Sequence, residues 1–248
     1  MPDSVFNFLL NFAAEKFPEI FFLIVLSAFA GLRPSEACNV SQYNLIITRV
    51  NGRFSKVEID LLAERVLRAD MMRVGGIKKE RIQKVYPRFL AQFQECYNIH
   101  MEYLKTRKFD ETYAPMSVDR GGNAYTYKAY RVRFQKLIEC IIPTLLASED
   151  EEVVEYGMLL NGQKEKISPH IFRHWFSARL ALCGEDVAGL QFWRGDKNPN
   201  SCLVYLADKG DINRQLERVA NGMYDFNMEL AKKTKQQGFG TRGKRRDC

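Results

Sequence analysis

The most restrictive feature of this sequence is the run IFFLIVLSAFAGL at residues 20–32. It is apolar around its whole circumference, so a helix built from it must be enclosed on all sides. The run is shorter than the roughly 20 apolar residues that a membrane span requires. A secretory signal would need a basic segment ahead of it, and Asp3, Glu15 and Glu19 stand there instead. The expectation is a core helix in a cytoplasmic protein that makes no membrane contact. At 248 residues the chain is long enough to bury such a core, as one large domain or two small ones.

The remaining segments supply the layers around it. Residues 5–16 carry apolar side chains at helical spacing, Pro18 separates them from the core helix, and Gly31 ends that helix. Arg33-Pro34-Ser35-Glu36 then restarts a helix. This sets Arg33 at a helix junction, where it faces either a cleft or, as an ordinary turn residue, solvent, with Glu36 able to pair with it. Within about 43–86, the stretches LIITRV, KVEIDL and RIQKVY are divided by Asn51-Gly52 and Gly75-Gly76, the pattern of a small antiparallel sheet. Lys78 and Lys79 fall at its second turn, solvated or reaching into a neighbouring site.

Pro87 opens a helix to about Arg107 with Phe89, Leu90, Phe93, Tyr97, Met101 and Leu104 on its apolar side. After the loop DRGGN at 119–123, residues 127–146 form another helix, with Lys128, Arg131, Arg133 and Lys136 as an outward basic face suited to backbone phosphates or simply solvated. The acidic run 149–152 is expected in a loop away from that face. A short helix at 186–193 leads to the polar loop RGDKNPNS, a short element with Tyr205, and a helix at roughly 211–233 carrying Leu216, Val219, Met223, Phe226 and Leu230. The basic tail 236–248 is expected to be disordered. The fold class is mainly α with a small antiparallel β-sheet (α+β).

Chemistry concentrates in SPHIFRHWFSARL at 168–180. Ser168 reads as an N-cap and Pro169 as the first helical position, which places His170 and Arg173 in the first turn, where free N–H groups and the helix dipole favour an anion. Phe172, Trp175, Phe176 and Leu180 form the buried stripe. A formal charge of +7 and a pI near 9.0 point to a polyanionic partner, nucleic acid above all. Cys38, Cys96, Cys140, Cys183, Cys202 and Cys248 contain no CxxC pair and read as mostly buried, reduced thiols, so neither a metal ribbon nor a redox motif is expected.

Three motifs in order, AGLRPSEA, SPHIFRHWFSARL and GDKNPNSCLVY, resemble the boxes of the tyrosine recombinase catalytic domain, the phage-integrase and Xer-like family, including members carried by archaeal viruses or plasmids. The resemblance spans about residues 17–206. It implies the DNA breaking-rejoining fold over 1–235, without the family's amino-terminal DNA-clamping domain. It also implies that Arg33, His170 and Arg173 are catalytic, that Tyr205 is the nucleophile, and that the hairpin lysine is Lys79, with Lys78 the alternative. His174 and Glu36 take supporting places, and Tyr224 is a competing nucleophile. Asp196 stands at the sixth position, where the family has histidine or tryptophan; Lys197 or Trp193 are alternatives for that role.

The implied activity is site-specific DNA recombination through a covalent 3′-phosphotyrosine, with no metal and no cofactor. Two arginines match the non-bridging oxygens bidentately, His170 donates or takes the phenol proton, and Lys79 protonates the leaving 5′ oxygen. The implied partners are double-stranded DNA, through Lys128, Arg131 and Arg133, and further copies of the chain in a tetramer on DNA, with the helix at 211–233 exchanged between protomers or docked within its own. A type IB topoisomerase shares this chemistry, although the short spacing from Arg173 to Tyr205 is integrase-like. A catalytically degenerate DNA-binding protein is the rival reading that Asp196 keeps open.

Overall fold

The computed structural model describes residues 1–62, 77, 79–164 and 166–196. Helix α1 (Asp3–Lys16) buries Val5, Phe6, Leu9, Leu10 and Ala13, one stripe at helical spacing. Pro18 opens α2 (Pro18–Phe29), in which every residue from Ile20 to Phe29 is buried. This helix is the axis of the molecule, packing against α1, α4 (Leu90–Lys105) and α7 (His170–Leu182) and touching α3 (Pro34–Ala37) and α5 (Tyr127–Leu146). Among the described residues, no helix is long and apolar enough to cross a membrane.

Strands β1 (Leu45–Val50), β2 (Arg53–Asp60) and β3 (Ile82–Lys84) form an antiparallel sheet in the order β1-β2-β3. Asn51 and Gly52 both have positive φ, the requirement of the tight turn that matches strand twist. Thr48 faces Lys56 while Arg49 faces Phe54, so Ser55 is the extra residue of a bulge. The bulge shifts the alternation and lets Phe54, Val57 and Ile59 all enter the core beside α4. The mainly helical architecture with one small sheet is the one expected from the sequence.

Several expectations need correction. Only the first half of the acidic run is loop: Asp150 caps α6 (Glu151–Gln163) by accepting from the N–H groups of Glu152 and Val153, and Glu151 and Glu152 sit at the favourable end of the helix dipole. Ser168 does not cap α7; Pro169 holds the N-cap place, and the Ser168 carbonyl accepts from Ile171 N–H. Arg133 does not point outward with its neighbours but lies over the Phe17 ring and pairs with Glu19, so the open basic face is Lys128, Arg131 and Lys136. Of the cysteines, Cys38 and Cys96 are buried, Cys183 is half-buried and Cys140 is exposed. Cys202 and Cys248 lie outside the described residues, as do Gly75 and Gly76.

The helix-period reading of α4 missed one buried polar group. His100 is 1% exposed, stacked on Phe22 at 4.8 Å, and its Nε2 faces the Met116 carbonyl. Burial pulls its pKa down to about 4 against the opposing effect of that carbonyl, so the folded state keeps the ring neutral. An unfolded histidine protonates from about pH 6.5 downward. Stability is therefore unaffected above that pH, falls as pH drops toward 4, and levels off once the folded ring also protonates, a loss of about 3 kcal/mol. Melting temperatures measured across this window should fall less steeply for His100→Gln than for the wild type.

Candidate active site

The end of α2 creates the site. Gly31 adopts φ +65°, and a side chain there would strike the Phe176 ring of α7. Leu32 N–H bonds back to the Leu26 carbonyl, closing the helix and sending the chain sharply into Arg33. Arg33 is extended and Pro34 starts α3. Glu36 then holds Arg33 twice: Oε2 accepts from its backbone N–H at 3.0 Å and Oε1 from Nη1 at 2.9 Å.

Glu36 has no exposed surface and is shared with a residue that pattern reading overlooked. Arg81, at the approach to β3, donates from both terminal nitrogens to the Glu36 carboxylate, at 3.1 and 2.9 Å. Its Nη1 also reaches the Lys79 carbonyl at 2.9 Å, and its Nε reaches Gln83 at 2.6 Å. Gln83 in turn donates to the Trp193 carbonyl at 2.6 Å, which ties the sheet to α8 (Val187–Arg194). The available signal was the two-residue spacing of Lys79, Arg81 and Gln83, which puts them on one face of an extended segment. Burial alone would raise the Glu36 pKa, but the bonds from Arg81 and Arg33 outweigh it and hold the carboxyl below its ordinary range.

From the other side comes α7. Arg173, 5% exposed, donates to the Gly31 carbonyl, to the Arg194 carbonyl at 3.0 Å and to Asp196 Oδ1 at 2.7 Å. Burial draws its pKa down to about 10, with Asp196 opposing, which leaves it charged at neutral pH. Arg194, the second overlooked residue, bonds Ser177 and donates from Nε to Asp196 Oδ2 at 2.7 Å. Gly195 is left-handed, with a would-be Cβ striking Arg81, and it turns Asp196 back over the cluster. Asp196 Oδ1 receives Arg33 Nη2 at 2.5 Å as well. Although burial opposes it, the three arginines keep Asp196 below the ordinary carboxylate range, so at neutral pH it accepts hydrogen bonds and cannot donate one.

His170, half-buried, sits under the same influence. Burial first, then the positive charges of His174, Arg173 and Arg33, lower its pKa, which favours the neutral, proton-accepting ring. His174 on the same helix is shifted down by burial and by Arg194 and Arg173. Lys79 lines a cleft of about 300 Å³ with Arg81, Gln83, Trp193 and Asp196. The described residues thus bring Arg33, Glu36, His170, Arg173 and Asp196 together, with Lys79 on the rim and His174 one turn behind. Lys128 and Arg131 line a separate groove with Ile167 and Pro169, beside the start of α7. Lys78, Lys197, Tyr205, Tyr224 and the helix expected at 211–233 lie outside the described residues. Among the described residues, no cluster of three or more His, Cys, Asp or Glu could hold a metal ion.

No protein-family model and no curated protein matches the sequence. Solved structures do match. XerA recombinase superposes with a TM-score of 0.58 at 13% identity, over 89% of this chain and 64% of that one. The Tn1549 transposon integrase in complex with circular intermediate DNA gives 0.51 at 21%, over 83% and 59%. The XerH site-specific recombinase bound to its difH substrate gives 0.50 at 16%, over 83% and 49%. This chain thus covers less than two thirds of each of these structures. The mainly helical architecture with one small antiparallel sheet, shared with all three, gives this chain the fold of the tyrosine recombinase catalytic domain.

Proposed function

We propose that this chain is a site-specific DNA recombinase or integrase that cleaves and rejoins strands through a 3′-phosphotyrosine. The observation that carries the reading is the convergence of Arg33 and Arg173, from elements far apart in sequence, on one anionic oxygen, with a histidine biased to be neutral beside them. Two guanidinium groups around one oxygen make a receptor for a non-bridging phosphate oxygen, whose charge grows in the transition state. DNA is the substrate suggested by the solved relatives' complexes, by the net charge and by the Lys128–Arg131–Lys136 face.

In the proposed reaction the Tyr205 oxygen attacks phosphorus while His170 takes the phenol proton. The bond from phosphorus to the 5′ oxygen breaks, and Lys79 supplies a proton to that oxygen. One phosphoester replaces another, so a 5′ hydroxyl from a second duplex can reverse the step and complete recombination. Pairing of four such sites makes a tetramer on DNA the expected working assembly. The rival reading, a DNA-binding protein that no longer cleaves, is favoured by the carboxylate of Asp196 inside the arginine pocket.

A nicked suicide duplex distinguishes the two. The expected result is a denaturation-resistant adduct that mass spectrometry maps to Tyr205 and that Tyr205→Phe does not form. DNA that is bound without any adduct would establish the non-cleaving protein instead.

A further inference from the structure

We infer that Asp196 is a resident anion that occupies the phosphate position between Arg33 and Arg173, and that it sets how tightly this pocket takes an oxyanion. The inference rests on reading the arginine pair as a phosphate receptor, and it extends that reading to the pocket's control. Its basis is the way the two carboxylate oxygens divide their partners. Oδ1 alone receives both Arg33, at 2.5 Å, and Arg173, at 2.7 Å, whereas Oδ2 receives Arg194 at 2.7 Å.

The two oxygens therefore do different things. Oδ1 stands where a tetrahedral oxyanion would put one of its oxygens, and no phosphate can take those two donors while it remains. Oδ2 is bound to the guanidinium of Arg194, two residues back on the same turn, which Ser177 also holds. A rotation of the side chain can release Oδ1 and keep Oδ2 on Arg194. Glu36 is not displaced in such an exchange, because its partners are Nη1 of Arg33 and the guanidinium of Arg81.

Charge makes the exchange feasible. Four guanidinium groups, those of Arg33, Arg81, Arg173 and Arg194, surround two carboxylates in a largely dry cluster. A phosphodiester carries one negative charge while Asp196 keeps its own on Arg194, so the exchange takes the cluster of four guanidinium groups and two carboxylates from a net charge of +2 to +1, still attractive to the anion. Before DNA arrives the carboxylate keeps two arginines from repelling each other and holds their forks pointed at one spot. After arrival it competes with substrate. The pocket is thereby preorganised and at the same time guarded against free phosphate and other small anions.

Inorganic sulfate tests this without requiring cleavage. Melting temperatures are followed against sodium sulfate, with sodium chloride at matched ionic strength as reference, for the wild type, Asp196→Asn and Asp196→Ser, the serine variant serving if the amide does not fold. The neutral variant should respond to sulfate at concentrations at least about tenfold lower than the wild type, and adding Arg173→Lys should erase the gain. An equal sulfate response in wild type and both variants would overturn the inference, as would a gain that survives the loss of Arg173.

Single-turnover cleavage of the suicide duplex supplies the second readout. Asp196→Asn should lower the DNA concentration giving half-maximal cleavage by about tenfold and change the maximal rate much less. A fall in maximal rate at unchanged half-saturation would instead make Asp196 a part of the catalytic step and refute its role as an exchangeable anion. If neither protein cleaves DNA yet the sulfate gain is present, the recombinase reading fails and the resident anion stands. Normal cleavage with no sulfate gain has the opposite meaning.

Discussion

Arg173→Ala is expected to abolish adduct formation and to destabilise the protein by about 3–5 kcal/mol, the range for removing one partner from a buried ionic network. The guanidinium ties two separate pieces of chain to α7 through three acceptors: the Gly31 carbonyl at the end of α2, and the Arg194 carbonyl and Asp196 carboxylate on the turn that ends α8. Truncation leaves two carbonyls without this donor in a site that water hardly reaches, and unpaired buried acceptors are costly. Arg173→Lys separates the two roles. It keeps the charge but cannot span three acceptors with one planar fork, so a cleavage rate lower by about 100–1000-fold is expected, the size of losing one transition-state donor. Urea denaturation and single-turnover cleavage of the same preparations measure both quantities. Wild-type stability and cleavage in the alanine variant would remove Arg173 from the site.

Glu36→Ala is expected to cost about as much, about 3–5 kcal/mol, for a related reason. The Glu36 carboxylate receives both terminal nitrogens of Arg81, and the same guanidinium holds the carbonyl of Lys79. Losing that carboxylate loosens the end of α2 and the hairpin base together, so the lysine and the first arginine should lose their alignment in one step, with cleavage falling as well. The pH dependence has a definite sign. Because the folded-state pKa lies below that of the unfolded chain, this contribution is complete above the ordinary carboxylate range and disappears as pH falls through the lowered value. Glu36→Gln should therefore show a smaller loss of stability than the wild type as pH falls through and below the ordinary carboxylate range. An acid-unfolding curve for Glu36→Gln parallel to that of the wild type would show that the cluster does not depend on this ionisation.

Much of the architecture was legible in the chain. The apolar circumference of residues 20–32 demanded a buried axis, and α2 is that axis. Proline at 18 and 34 and glycine at 31 marked where helices stop and start. Asn51-Gly52 placed the hairpin turn. These signals are local, because a proline's missing N–H or a glycine's freedom at positive φ acts within a few residues of itself. The helix α6 is the exception, because its acidic opening has the pattern of a solvated charge run, while the same residues are good partners for a helix N-terminus.

At the candidate site the balance differs. Arg33, His170 and Arg173 could be singled out by their motifs, and the fold brings the three into one cluster. Arg81 shares only the two-residue spacing of Lys79 and Gln83, and Arg194 has no signal of its own, because an arginine near a strand or at a helix end is ordinary until its partner is known. The sequence by itself determined the described helices other than α6, the apolar stripes that they bury and which residues belong to the arginine and histidine motifs. Only the tertiary structure decided how the carboxylates of Glu36 and Asp196 are shared among four guanidinium groups. That sharing depends on side chains up to 163 positions apart meeting within hydrogen-bond distance, and no periodicity or local propensity encodes such a meeting.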